Sequence, residues 1–292
     1  MQLHPTSFYT FIALLAPVFS KRKTQAVIGS RYNLGMSLIK LFSWNVNGIR
    51  AAEKKGFLDW LASTGADAIA VQETKASPDQ LSEKLLKPPG YTTHFASAQK
   101  KGYSGVATFS KTAPTKAIVG LGDETFDADG RTVITEYEPF VLFNIYFPNG
   151  GRGPEYVTHK LAFYRFFLQV ATSYMKRGRS VIVTGDVNTS FAEIDIARPK
   201  ENANKSGFMP IEREAMGEFY AAGLIDSFRL LHPEAVKYTW WDQVTRSRER
   251  NVGWRLDYFF VSPDLKDKIV AAEIHDDVVG SDHCPISLSL KI

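Results

Sequence analysis

The chain has 292 residues, 44% hydrophobic and 23% charged, a globular balance that excludes collagen-like, low-complexity and disulfide-framework classes. Its single cysteine, Cys284, excludes an intramolecular disulfide and fits an intracellular protein of the cytoplasm, nucleoid or nucleus. The formal charge of +4 comes from the leader: taking Lys21, Arg22, Lys23 and Arg31 from 35 Lys and Arg leaves 31, against 31 Asp and Glu that begin only at Glu53. The body is neutral, so a polyanion would be met by a localised basic face, not by overall charge.

Residues 1–36 differ from the rest. The apolar run Phe8–Phe19 is 12 residues long, too short to span a membrane. Its charges follow the apolar stretch, whereas a secretory signal places them before it. The segment reads as an N-terminal extension: a disordered tail, an organelle-targeting leader, or a mis-called start upstream of Met36. From residue 37 to 292 no low-complexity linker intervenes, so the body reads as one α/β domain, with no membrane partner and expected to be monomeric.

Along the body, strand-like runs appear at Leu38–Ser43, Ala68–Val71, Gly105–Ser110, Thr132–Tyr137, Val141–Tyr146, Val181–Thr184, Leu256–Val261 and Pro285–Leu290. Apolar spacings of three and four mark a helix from Glu155 to Lys176, closed by Lys176-Arg177-Gly178. Shorter helices are expected at Phe57–Leu61, Leu81–Leu86 and Ile211–Ala222. Two strands in succession, 132–137 and 141–146, argue against an all-parallel doubly wound sheet. They suit antiparallel sheets packed face to face with helices outside.

Chemically capable residues gather where the apolar runs end. The first strand runs into Trp44-Asn45-Val46-Asn47, the second into Gln72-Glu73-Thr74-Lys75, the fifth into Tyr146 and Asn149-Gly150, and the sixth into Asp186-Val187-Asn188; Asp282-His283 precedes the last. Singly, each has a structural reading: Asn-Gly is a turn dipeptide, and Asp and Asn cap turns. Together they form a rim rich in Asn and carboxylates without a Cys or His cluster, which excludes a zinc site. A hard, oxygen-seeking ion such as Mg²⁺, which Mn²⁺ can replace, uses such a set with substrate phosphate completing its shell, and one histidine suits phosphate-ester hydrolysis. Tyr238-Thr239-Trp240-Trp241 and Asn251–Tyr258 bracket Arg246-Ser247-Arg248-Glu249-Arg250. Aromatics interleaved with arginines suit nucleic acid, although Trp241 and Tyr258 read as core.

The pieces SWNVNGIRA (43–51), VQETK (71–75), GYSGVA (102–107), NIYFPNGGRG (144–153), GDVNTSFAEIDIARPKENANKSGF (185–208), NVGWRLDYF (251–259) and GSDHCPI (280–286) resemble the exonuclease III class of apurinic/apyrimidinic (AP) endonucleases. They fall in family order and cover essentially 38–292. The resemblance implies a deoxyribonuclease I-like fold, a four-layered α/β sandwich of two packed mixed sheets. It implies hydrolysis of the phosphodiester 5′ to an abasic site in double-stranded DNA, leaving a 3′-hydroxyl and a 5′-deoxyribose phosphate, with some 3′→5′ exonuclease or 3′-end-cleaning activity; the alternative within the fold is a nuclease acting mainly as an exonuclease or at altered bases such as uracil.

By the same resemblance, Glu73 matches the metal carboxylate, with Asn45, Asn47 and Asp282 beside it. Tyr146, Asp186, Asn188 and His283 match catalytic positions, with Asp257 holding the histidine. Asn47 stands where many animal-type members have Asp. Arg50, Lys75, Tyr103 and Arg131 match DNA-backbone contacts, Asn202 a phosphate-contacting asparagine, and Arg152 an arginine wedged into the duplex. Trp240, Trp254 and Leu256 match the pocket for the flipped abasic sugar, and Val244 stands where some members have a methionine wedge. Phosphatases, sphingomyelinases and deoxyribonuclease I share the fold but use a second histidine where this chain has Tyr146. A non-enzymatic binding module is disfavoured because Glu73, Asp186 and His283 are all present.

Overall fold

The computed structural model describes residues 37–292, so the expectations for the leader lie outside the described residues. Contacts cluster the chain from Met36 to Ile292 into one compact unit. Its strands are β1 (Leu38–Asn45), β2 (Ala68–Gln72), β3 (Thr92–Ala96), β4 (Val106–Ser110), β5 (Lys116–Val119), β6 (Thr132–Glu136), β7 (Val141–Ile145), β8 (Val181–Asp186), β9 (Ile225–Asp226), β10 (Trp240–Trp241), β11 (Gly253–Trp254), β12 (Asp257–Val261), β13 (Ile269–Ile274) and β14 (Ile286–Lys291). The helices are α1 (Ile49–Lys54), α2 (Phe57–Thr64), α3 (Glu83–Leu86), α4 (Glu124–Asp127), α5 (Pro154–Lys176), α6 (Pro199–Asn202), α7 (Pro210–Ala221) and α8 (Ser227–Leu231).

Two six-stranded sheets form, in the orders β13-β14-β1-β2-β4-β3 and β5-β6-β7-β8-β12-β9, with a small ribbon of β10 and β11. Pairing is antiparallel except for β1 with β2 and β7 with β8, which makes both sheets mixed. The strands of the two sheets meet face to face, β1 and β2 against β8 and β12 against β14. Leu41, Leu142, Ile182, Phe259, Ile286 and Leu288 fill the space between them. Outside the second sheet, α5 and α7 bury Phe163, Phe167 and Phe219 against Phe143 and Phe260. Phe57 and Leu61 of α2 cover Phe42 and Phe109 on the other face. The result is helix, sheet, sheet, helix: a deoxyribonuclease I-like four-layer sandwich.

Near one rim the inter-sheet packing turns polar. Gln72 donates to Ser43 Oγ at 3.0 Å and to Asn144 Oδ1 at 2.8 Å, and Asn144 donates to the Ala107 carbonyl at 2.9 Å. A buried polar layer tied by such directed hydrogen bonds fixes the offset of the two sheets more strictly than an apolar one. It lies directly beneath the loops that follow β1, β2, β7 and β8.

The central strands fall where alternation and apolar runs place them. The unexpected elements are edge strands β3, β5 and β13, the two-residue strands, and helices too short to show a period. β5 is largely exposed, so it carries no apolar signature. The helix expected at Leu81–Leu86 begins only at Glu83, capped by Ser82, whose Oγ accepts the Leu85 N–H at 3.2 Å.

Candidate active site

Strand pairing brings the chemistry to that rim. The antiparallel register of β12 and β8 sets Asp257 opposite Asp186, and the parallel register of β1 and β2 sets Asn45 opposite Gln72, one residue before Glu73. A bridge between Trp240 and His283 closes the other side. Together they enclose a pocket of about 400 Å³ lined by Glu73, Tyr146, Asp186, Asn188, Asp282 and His283, with Trp240, Trp254 and Leu256 as its apolar wall. Eight non-glycine described residues adopt left-handed backbone, and Asn47, Glu73, Lys75, Ser104 and Asn188 cluster at this rim. Such conformations persist where surrounding structure imposes them, as functional sites do.

His283 is buried, and its Nδ1 lies 2.7 Å from Asp257 Oδ2 while its Nε2 lies 3.7 Å from Asp186 Oδ2. Burial alone would lower its pKa, but Asp257, Asp186 and Asp282 outweigh burial and raise it to about 10. The ring is therefore an imidazolium facing the pocket. Asp186 is raised to about 7 by burial, eased by His283 and reinforced by Asp257 and Glu73. Burial, with Glu73 and Asp186 nearby, lifts the Tyr146 phenol well above its usual range, so it stays a neutral donor. Burial would raise Asp282 too, but His283 and donors from Asn47, Trp240 and Ser281 hold it below the usual carboxylate range.

The asparagines hold the carboxylates in place. Asn45 Nδ2 donates to Glu73 Oε1 at 2.9 Å and to Asp186 Oδ2 at 3.0 Å, bridging two like charges. Asn188 donates to the Phe147 carbonyl at 2.9 Å and to Asp186 Oδ2 at 3.3 Å. Their amide hydrogens are spent within the protein, so both orient carboxylates instead of pointing free donors at a ligand. Asn47 donates to Asp282 Oδ1 at 2.9 Å and accepts from Lys75, whose ammonium also pairs with Glu73 at 2.7 Å.

One ligand atom from each of Glu73, Asp186 and His283 lies within 4.8 Å of the others. With His283 protonated, the two carboxylates and the Asn45 carbonyl oxygen remain, a hard-oxygen donor set that fits an oxygen-seeking metal ion, while the Asn47 oxygen accepts from the Lys75 ammonium. Asp282 is not part of this cluster; its oxygens accept from Asn47, Ser281 and Trp240.

Arg131, Tyr103 and Arg152 form a ladder beside the pocket. The Arg131 guanidinium lies 5.0 Å from the Tyr146 ring centroid, and Tyr103 Oη accepts from Arg131 at 2.9 Å and from Arg152 at 2.7 Å. Arg50 lies in a separate cleft with Lys54 and Lys75. Asn202 does not line the pocket: its amide donates to the Ala197 and Arg198 carbonyls, both at 3.0 Å, and ties off the turn at α6. Both amide hydrogens of Asn202, the phosphate-contacting asparagine of the resemblance, are thus engaged within the protein. Lys205, Ser206 and Gly207 line the pocket instead. A Cβ at Gly207, whose φ is +96°, would stand 3.0 Å from the Trp254 ring and narrow the pocket. Val244 is 92% exposed at the tip of its loop.

Comparison with known proteins agrees with this geometry. The chain is 42% identical over 256 residues to an exodeoxyribonuclease of Bacillus subtilis (strain 168), covering 87% of this chain and 100% of that one. It is 38% identical to the DNA repair nuclease APEX1 of Danio rerio, over 87% of this chain and 83% of the relative. The solved 3′-5′ exonuclease NExo of Neisseria meningitidis superposes with a TM-score of 0.81 at 25% identity, covering 87% of this chain and 100% of that one. Residues 42–283 match the Endonuclease/Exonuclease/phosphatase family across both sheets and every rim loop, and the chain belongs to that family.

Proposed function

We propose that this DNA repair nuclease hydrolyses the phosphodiester 5′ to abasic sites in double-stranded DNA, leaving a 3′-hydroxyl and a 5′-deoxyribose phosphate. The observation that carries the reading is one pocket holding a proton acceptor, an imidazolium and an apolar recess side by side. Asp186, with its pKa raised to about 7, takes the proton of the attacking water at its carboxylate. His283, fixed by Asp257, faces the phosphate as a cation and stabilises the charge that develops on its oxygens. Tyr146 donates a hydrogen bond to the same phosphate, and as the bond from phosphorus to the 3′-oxygen breaks, that oxygen takes its proton from water in the pocket. Glu73, with the Asn45 oxygen beside it, would hold Mg²⁺ (or Mn²⁺), which would supply Lewis-acid stabilisation of the phosphate and leave Asp186 free to accept the proton.

Trp240, Trp254 and Leu256 offer an apolar wall where a sugar without a base fits, and such a nucleotide is cheap to extrude because little stacking is lost. Arg50, Lys75, Tyr103, Arg131 and Arg152 grip the flanking backbone, which reconciles DNA binding with a neutral body. Among the described residues no helix is long and apolar enough to cross a membrane. Every group in the proposed mechanism comes from one chain, so the chemistry needs no second copy.

The test is nicking of four duplexes that differ at one position: a tetrahydrofuran abasic analogue, an undamaged pair, a mismatch and a uracil. Incision confined to the abasic duplex and abolished by EDTA is expected. Equal cleavage of the uracil duplex, or degradation from 3′ ends without internal nicking, would refute the abasic reading.

A further inference from the structure

Behind the pocket, Lys160 of α5 and Glu212 of α7 form an ion pair at 2.8 Å, both side chains 0% exposed. The family motifs quoted above contain neither residue. Lys160 Nζ also donates to the Asn188 carbonyl at 2.7 Å. Glu212 Oε1 accepts from Ser206 Oγ at 2.7 Å, and its Oε2 accepts the N–H groups of Gly207 at 2.6 Å and Met209 at 3.2 Å. A Cβ on Gly150 would stand 2.5 Å from Ser206 Oγ and 3.3 Å from Glu212 Oε1. The loop carrying Asn149 and Arg152 therefore rests on the same pair, and Asn149 Nδ2 donates to Asn188 Oδ1 at 2.8 Å. Three pocket-forming segments converge on one charge pair that touches no solvent.

An apolar pair of the same volume would clasp two helices as well or better, because buried charges carry a large desolvation cost. Charge-assisted hydrogen bonds add direction. Asn188 is held at φ +58°, and its N–H donates to Asp186 Oδ1 at 2.8 Å, so a shift of Asn188 moves the Asp186 carboxylate. Gly207 lies beside Asn188 and under Trp254: a Cβ there would stand 3.2 Å from the Asn188 carbonyl oxygen and 3.0 Å from the Trp254 ring, and the Gly207 carbonyl accepts the Ser190 N–H at 2.8 Å.

We propose that Lys160 and Glu212 are positioning residues for phosphodiester hydrolysis, holding the Asp186–Asn188 segment and the adjoining Ser206–Met209 segment in the register the extruded sugar phosphate requires. The proposal rests on the nuclease reading of the pocket. The double variant Lys160→Met, Glu212→Gln removes both charges, while the introduced amide oxygen still offers an acceptor to the Gly207 N–H. Its Tm and its Kd for the tetrahydrofuran duplex should stay near those of the parent. Its single-turnover rate should fall by about tenfold or more, as misplaced reacting groups cost rate before they cost affinity. A folded double variant with the parental rate would reduce the pair to a structural clasp and overturn the proposal.

Should the double variant fail to fold, Ser206→Ala decides, since Ser206 is only half-buried. It should fold, slow single-turnover cleavage a few-fold, and speed hydrogen exchange at the Gly207 amide. An unchanged rate and unchanged exchange would overturn the proposal. The exchange readout separates this inference from the nuclease reading: protection of Gly207 lost in Ser206→Ala supports the clamp even in a protein that nicks nothing, and unprotected Gly207 in the parent contradicts it whatever the activity.

Discussion

His283 sits among three carboxylates with its Nδ1 committed to Asp257, an arrangement that fixes the ring and keeps it charged. His283→Asn should lower the single-turnover rate by about 10²–10³-fold, the range for losing one preorganised group that stabilises developing charge. Asp257→Asn should cost less, and the double variant should be little worse than His283→Asn, because residues acting as one unit are non-additive. Multiplicative losses would show that the two act separately. The same pair has a pH signature in metal-free protein. A histidine raised from 6.5 to about 10 on folding contributes stability that is complete below about 6.5 and lost as pH rises through about 10. The Tm deficit of Asp257→Asn should therefore be largest near pH 6.5 and shrink toward pH 10, and a deficit constant across that window would break the assignment. Glu73→Gln should lose most activity at low Mg²⁺ and regain part of it at high Mg²⁺, since the Asn45 oxygen and the substrate phosphate remain; an unchanged Mg²⁺ dependence would show that Glu73 is not a ligand. These residues were legible in the sequence because each sits in a strand-end motif. Lys160 and Glu212 were not, because a charged residue in a helical pattern looks the same whether it faces solvent or the core, and only the packing of α5 on α7 decides.

At the scale of elements, the site is a consequence of strand ends. β8 ends at Asp186 and β12 begins at Asp257, and their pairing alone puts the two acids side by side. The long helix α5 was legible from its period, and the central strands from their apolar runs. The edge strands and the two-residue strands of the Trp240–Trp254 ribbon were not, because too few residues repeat for alternation to register. The loop between β7 and α5 presents Arg152 against Tyr103 and Tyr156, 5.5 and 4.5 Å from their ring centroids, beside the catalytic groups but outside the pocket lining. Arg152→Ala should accordingly speed release of nicked DNA and leave single-turnover cleavage within a few-fold of the parent, since product release commonly limits turnover. A collapse of the single-turnover rate would place Arg152 in the chemistry itself.

The whole molecule is a sandwich whose two mixed sheets open onto one rim, and the polar layer of Gln72, Ser43 and Asn144 fixes their offset beneath it. Sequence composition pointed to one α/β body, and consecutive strands pointed to sheets packed face to face. The two parallel pairs, β1 with β2 and β7 with β8, arise because α1 and α2 in one case and α5 in the other carry the chain back across the sheet. That return also delivers Glu73 and Asp186 to the same rim. The central claim is that this rim makes one incision, on the 5′ side of an abasic nucleotide. Mass analysis of both product ends after a single turnover on a tetrahydrofuran duplex tests it most directly. The account predicts an upstream strand ending in a 3′-hydroxyl and a downstream strand beginning with the 5′-phosphorylated abasic sugar; an upstream 3′-phosphate, or an incision on the 3′ side of the lesion, would contradict it.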